Sequence, residues 1–136
     1  MKYILILLVF FISSCAHEAP TFLEGEWKSN KELTISHLTN NEALTKEKKE
    51  FLERNLGELV IIFKGNKTTI YFEKPNEIEW GTFKVVNQTK SSFTILVTNS
   101  IVKAKEFTYT WSGNCFYLEQ KDYGYNEYFC KVEKTI

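Results

Sequence analysis

Three cysteines, two histidines and a cluster of acids around Pro75 are the side chains of this 136-residue chain whose types could do chemistry. A thiolate can act as a nucleophile, an imidazole as a general base, and paired carboxylates as acid and base. Their spacing supports none of these roles. No H-x-x-x-H, C-x-x-C, G-x-S-x-G or phosphate-cradling glycine pattern occurs in the chain. His17 lies close to the N-terminus, and His37 stands alone with the character of a surface residue. Glu73, Glu77 and Glu79 flank a proline turn and read as a solvated rim, and Ser112-Gly113-Asn114 reads as a turn rather than a nucleophile elbow. The expectation is a non-catalytic protein with no metal and no cofactor.

Composition narrows the class. Seventeen basic and seventeen acidic side chains balance one another. Neither nucleic-acid binding nor electrostatic attraction to a membrane is implied by that balance. Arg54 is the only arginine, so a site that reads phosphate or carboxylate through guanidinium forks is not expected. Aromatic residues make up 15% of the chain, enough to fill the core of one domain of this length.

The elements that would carry any site follow from hydrophobic periodicity. The first strand is expected near Phe22 to Lys28, and Glu32 to Ser36 alternates like another strand. Thr39 and Glu42 stand in capping-box spacing and predict a helix running to Leu56, with Gly57 as its stop. Leu44, Phe51, Leu52 and Leu56 would form its apolar stripe. Later strands are predicted over 58–64, 67–73, 79–86, 92–98, 105–111, 115–119 and 127–133. Gly65-Asn66 suits a tight primed hairpin turn. Such regular spacing predicts a mainly β fold of about eight strands. They would form an antiparallel meander closed as a barrel, with one helix after the first strand. Leu59, Ile61 and Phe63 share a face, as do Phe93, Ile95 and Val97, and Phe107, Tyr109 and Trp111. Several opposite faces are also apolar, so alternation alone leaves the inward face open.

The N-terminus carries an address. Lys2 precedes an apolar run from Ile4 to Ile12, which is too short to span a bilayer and suits the core of a secretory signal. Ile12-Ser13-Ser14-Cys15 resembles the lipoprotein box of bacterial lipoproteins. That resemblance implies cleavage before Cys15 and fatty acylation of Cys15 with diacylglyceryl and palmitate-type chains. Residues 1–14 would then be the signal peptide, 15–21 a lipidated tether and 22–136 the domain. Extended residues rise about 3.4 Å each, so the five from Ala16 to Pro20 reach roughly 17 Å and hold the domain close to the membrane. In Gram-negative lipoproteins, a residue such as Ala16 after the cysteine implies the outer membrane, facing the periplasm. With Cys15 lipidated, Cys115 and Cys130 remain as a pair in an oxidising compartment. A hairpin centred between Asp122 and Tyr123 sets these two opposite one another, so a disulfide is expected.

A second resemblance concerns the domain. Gly25-Glu26-Trp27, placed where the first strand begins, resembles the G-x-W signature of lipocalins. The tail from Trp111 to Val132 is similar to the closing strand of small bacterial lipocalin-like lipoproteins. The resemblance implies that Trp27 plugs one barrel end, with Lys131 or Lys134 as a cation across its ring. It also implies a small hydrophobic ligand inside, for which Phe63, Phe83, Phe93, Tyr109 and Trp111 are candidate lining residues and equally good core residues. Lipocalins usually place their main helix after the barrel. A helix after the first strand is instead similar to the arrangement in fatty-acid-binding proteins. The alternative function is a protein-binding envelope lipoprotein, an assembly factor or hydrolase inhibitor, using Tyr123 and Tyr125 on the turn before the last strand.

Overall fold

The computed structural model describes residues 20–38, 44–72, 75–100 and 103–134. Eight strands form a closed antiparallel barrel in chain order, and two helices lie between the first and second strands. The strands are β1 (Gly25–Ser29), β2 (Val60–Lys64), β3 (Lys67–Tyr71), β4 (Gly81–Gln88), β5 (Ser92–Thr98), β6 (Lys105–Ser112), β7 (Cys115–Gln120) and β8 (Tyr125–Lys131). The helices are α1 (Lys31–Leu38) and α2 (Lys46–Asn55). Closure is direct: Lys28 of β1 faces Cys130 of β8 on one side and Val60 of β2 on the other. The eight-stranded antiparallel barrel expected from the sequence is therefore the fold.

The helical region differs from the expectation. Glu32 to Ser36 is not a strand but the middle of α1. Asn30 caps this helix, its Oδ1 accepting from the Leu33 N–H at 2.9 Å. Thr34 and Leu38, one helical turn apart, are its buried residues, and α1 packs against β8. The second helix begins at Lys46 and is capped by Thr45, whose side chain accepts from the Lys48 N–H. The expected start at Thr39 and Glu42 lies outside the described residues. Leu44, Leu52 and Leu56 pack with Leu38 as anticipated, but Phe51 is 56% exposed and does not join them. Phe51 precedes Leu52 directly, so one helical step of about 100° turns it away from the cluster.

Alternation resolves once the barrel closes. Trp27, Ile61, Phe63, Phe83, Phe93, Ile95, Tyr109, Phe116 and Phe129 point into one buried cluster. One end of the barrel is shut by the segment before β1. Leu23 is fully buried there, and the Trp27 Nε1–H donates to its carbonyl at 2.9 Å. Pro20 and Thr21, the last residues of the expected tether, already belong to this turn, since their carbonyls accept from Leu23 and Glu24. Cys115 and Cys130 face each other across β7 and β8 and are joined as a disulfide, with Cα atoms 4.3 Å apart. Of the two helices, α1 lies against β8 and α2 packs on α1.

Candidate ligand cavity

The barrel is not uniformly paired. β3 and β4 are joined only at Lys67↔Thr82 and Thr68↔Gly81, after which the strands part. Gly81 marks the fork: a Cβ there would come within 3.0 Å of the Thr98 carbonyl oxygen. The fork opens into a cavity of about 290 Å³ inside the barrel, away from the plugged end. Ile61, Ile95, Val97, Phe107 and Leu118 give it apolar walls, and Thr68, Thr69, Glu79 and Asn99 stand among the residues at its rim. Ile70, on the same strand face as Thr68, lines the mouth and is 56% exposed, and Phe72 beyond it is 62% exposed. Two large apolar side chains in water beside an apolar hole are what a strand face becomes when its partner strand leaves.

Two polar features accompany the cavity. Tyr109 lines it and is only 4% exposed. Its ring stacks on Phe93 at 5.1 Å and meets Phe116 edge-on at 4.9 Å. Burial raises its phenol well above the usual range, so it stays protonated as a neutral donor and acceptor. At the rim, the Thr69 hydroxyl donates to the Glu79 carbonyl at 2.8 Å, and the Ser100 hydroxyl donates to Glu79 Oε1.

A separate polar cluster lies between barrel and helices. Glu127 is 5% exposed. Its Oε1 accepts from the Ser29 hydroxyl at 2.9 Å and its Oε2 from Gln120 Nε2 at 3.3 Å. Ser29 Oγ in turn accepts from the Gly57 N–H at 3.2 Å, which ties the end of the helical segment to the barrel. Burial raises the Glu127 carboxyl above its usual range, opposed by the two hydrogen bonds it accepts. Sequence reading missed this group. Glu127, Tyr128 and Phe129 are all buried along β8, so strand alternation gives no signal that singles it out.

Lys131 Nζ lies 5.6 Å from the centroid of the buried Trp27 ring. Phe63 and Phe83 meet each other at 5.0 Å, and Phe93 meets Trp111 at 5.1 Å, all within the packed core. Of the five candidate lining residues only Tyr109 reaches the cavity. Trp111 instead contacts Phe22 and Trp27 at the plugged end. Tyr123 is exposed, whereas Tyr125 packs against the helical leucine cluster. His37 stacks on Tyr128 at 4.6 Å on the outer surface of the domain. Cys15 and the leader before it, like His17 and Glu73, lie outside the described residues. Among the described residues no group of three or more His, Cys, Asp or Glu is placed to hold a metal ion, and no helix is long and apolar enough to cross a membrane. No family model, curated protein or solved structure matches this chain.

Proposed function

We propose that this chain is a lipid-anchored, lipocalin-like barrel of a bacterial envelope that binds a small hydrophobic ligand without chemistry. The observation that carries the reading is the apolar cavity of about 290 Å³ opening between β3 and β4. Cavities of about 150 Å³ lined by aliphatic and aromatic side chains stay dry and bind benzene. Drug-sized ligands occupy about 300 Å³ or more. This space therefore suits a molecule of about a dozen heavy atoms, by proportion to benzene. Polar side chains gather at the rim while the walls are apolar, the usual arrangement of a binding site. The anchor is Cys15, on the strength of the lipoprotein box, and would place the cavity near a membrane from which apolar molecules could be taken.

Val97→Phe tests the reading, because Val97 lines the cavity and is only partly buried. Native mass spectrometry of the unaltered protein with added naphthalene, at about ten heavy atoms, should show saturable one-to-one uptake. The Val97→Phe protein should take up at least tenfold less at the same concentration. Equal uptake by both, or none by either, overturns the proposal.

A further inference from the structure

The formal charge of the chain is zero, but its charges are not spread evenly over the described barrel. In an antiparallel meander, successive turns alternate between the two ends. The β2–β3, β4–β5 and β6–β7 turns therefore stand at the end where β1 begins and β8 finishes, the end that Leu23 and Trp27 close. The contacts agree. The Gly65 N–H donates to Glu24 Oε2 at 2.9 Å. Phe22 shares one hollow with Thr89 and Lys90, and another with Gly113 and Lys131. Over these turns and the flanking segments 20–25 and 131–134, five lysines stand against two acids, Glu24 and Glu133. The five are Lys64, Lys67, Lys90, Lys131 and Lys134, and all are exposed. Glu18, in the tether, leaves the excess positive. At the other end, the turns spanning 71–81, 98–105 and 120–125 hold three lysines and three acids among the described residues. The described part of the helical segment between β1 and β2 holds five acids and five lysine or arginine side chains. The positive excess thus belongs to the plugged end.

We propose that the plugged end docks on an anionic bilayer surface, so that the barrel stands with its plug toward the membrane. The docking rests on the anchor at Cys15 read above and gives that anchor an orientation. Pro20 already belongs to the plug, where its carbonyl accepts from the Leu23 N–H. The extended chain back to Cys15 reaches roughly 17 Å, so lipid at Cys15 holds this end near the headgroups. Anionic headgroups then attract the lysines, over a range of about 8 Å at physiological salt. Among these lysines Phe22 and Trp111 meet edge-on at 5.8 Å, both half-buried. An indole with one side apolar and the other wet suits the membrane–water boundary. An acyl chain joined to a basic surface is a pair of signals that makes attachment stable where one alone is weak.

The full chain, as a bacterial host processes it, is placed in nanodiscs doped with a gadolinium-chelating lipid, and amide-proton relaxation is read at Gly65, Gly113 and Gly124. The first two lie in turns at the plugged end, the third in the β7–β8 turn at the other. Discs containing phosphatidylglycerol should relax Gly65 and Gly113 at least fivefold more than Gly124. Discs of phosphatidylcholine alone should at least halve that ratio. So should the double substitution Lys64→Glu and Lys90→Glu, at two exposed positions outside the buried plug. A ratio unchanged by lipid charge and by the substitutions would mean that the tether alone orients the barrel, and the docking fails while the anchor stands. Equal or stronger relaxation at Gly124 in an acylated chain defeats the docking in the same way. A chain whose mass lacks acyl groups, and whose three amides are unrelaxed, overturns the anchor reading and the docking with it.

Discussion

Replacing both Cys115 and Cys130 by alanine should destabilise the barrel by about 3 kcal/mol. The disulfide joins residues 15 apart in sequence. In the chain-entropy treatment, closing a loop of that size removes entropy from the unfolded chain worth about 3 kcal/mol at 25 °C. The folded state should lose little in addition. The two residues are already directly opposed in the β7–β8 register, and β8 is held on its other side by β1. One polar contact changes, the 3.6 Å hydrogen bond from Asn30 Nδ2 to Cys130 Sγ. For a domain of this size each kcal/mol moves the midpoint by about 4 °C, so the melting temperature should fall by roughly 12 °C. Thermal unfolding followed by far-ultraviolet circular dichroism measures this, with the oxidised and dithiothreitol-treated parent protein alongside. Reduction should reproduce the effect of the double substitution. A fall of less than about 3 °C in both would show that the unfolded hairpin is already constrained, and the loop-closure reasoning would be refuted.

The buried carboxylate has a definite pH signature. Folding raises the Glu127 carboxyl, so the native state holds its proton at pH values where the unfolded chain has released it. Its contribution to stability is greatest below the unfolded value of about 4.3 and declines as pH rises through the folded one. Glu127→Gln keeps an acceptor for Ser29, so it should stabilise the protein at pH 7 and flatten that part of the urea-unfolding profile; a profile parallel to the parent's would count against it. Leu23→Ala removes a fully buried side chain from the barrel plug and should cost about 2–5 kcal/mol, measured by urea unfolding. A cost under 1 kcal/mol would mean that Trp27 alone closes that end. Labelled palmitate should enter the chain in cells and be lost in Cys15→Ser, and globomycin should block maturation; unlabelled protein would remove the anchor.

Most of the barrel was legible because strands carry their own local signals. Hydrophobic alternation, Gly65-Asn66 between two strands and the opposed cysteines each depend on a few neighbouring residues, and each is realised in the fold. The segment from Lys31 to Leu38 was not legible in this way. Leu33 and Ile35 alternate with polar residues as in a strand, yet the Asn30 cap and the burial of Thr34 and Leu38 make it a helix. Packing against β8 and against the leucines of the second helical segment supplies that burial, so the periodicity misled. The site was less legible still. Aromatic residues chosen as ligand contacts are, apart from Tyr109, the material that fills the core.

The amino-acid order alone determined that the chain makes about eight short antiparallel strands, with Cys115 opposite Cys130 in the last hairpin. Those are short-range matters of side-chain period, turn residues and hairpin register. Tertiary structure alone decided where the barrel stays open and which polar groups go inside. The parting of β3 from β4, the apolar hole behind it and the burial of Glu127 all depend on closing the sheet from β8 back to β1. Closure sets distances between residues far apart in the chain, and no local pattern of residues encodes those distances.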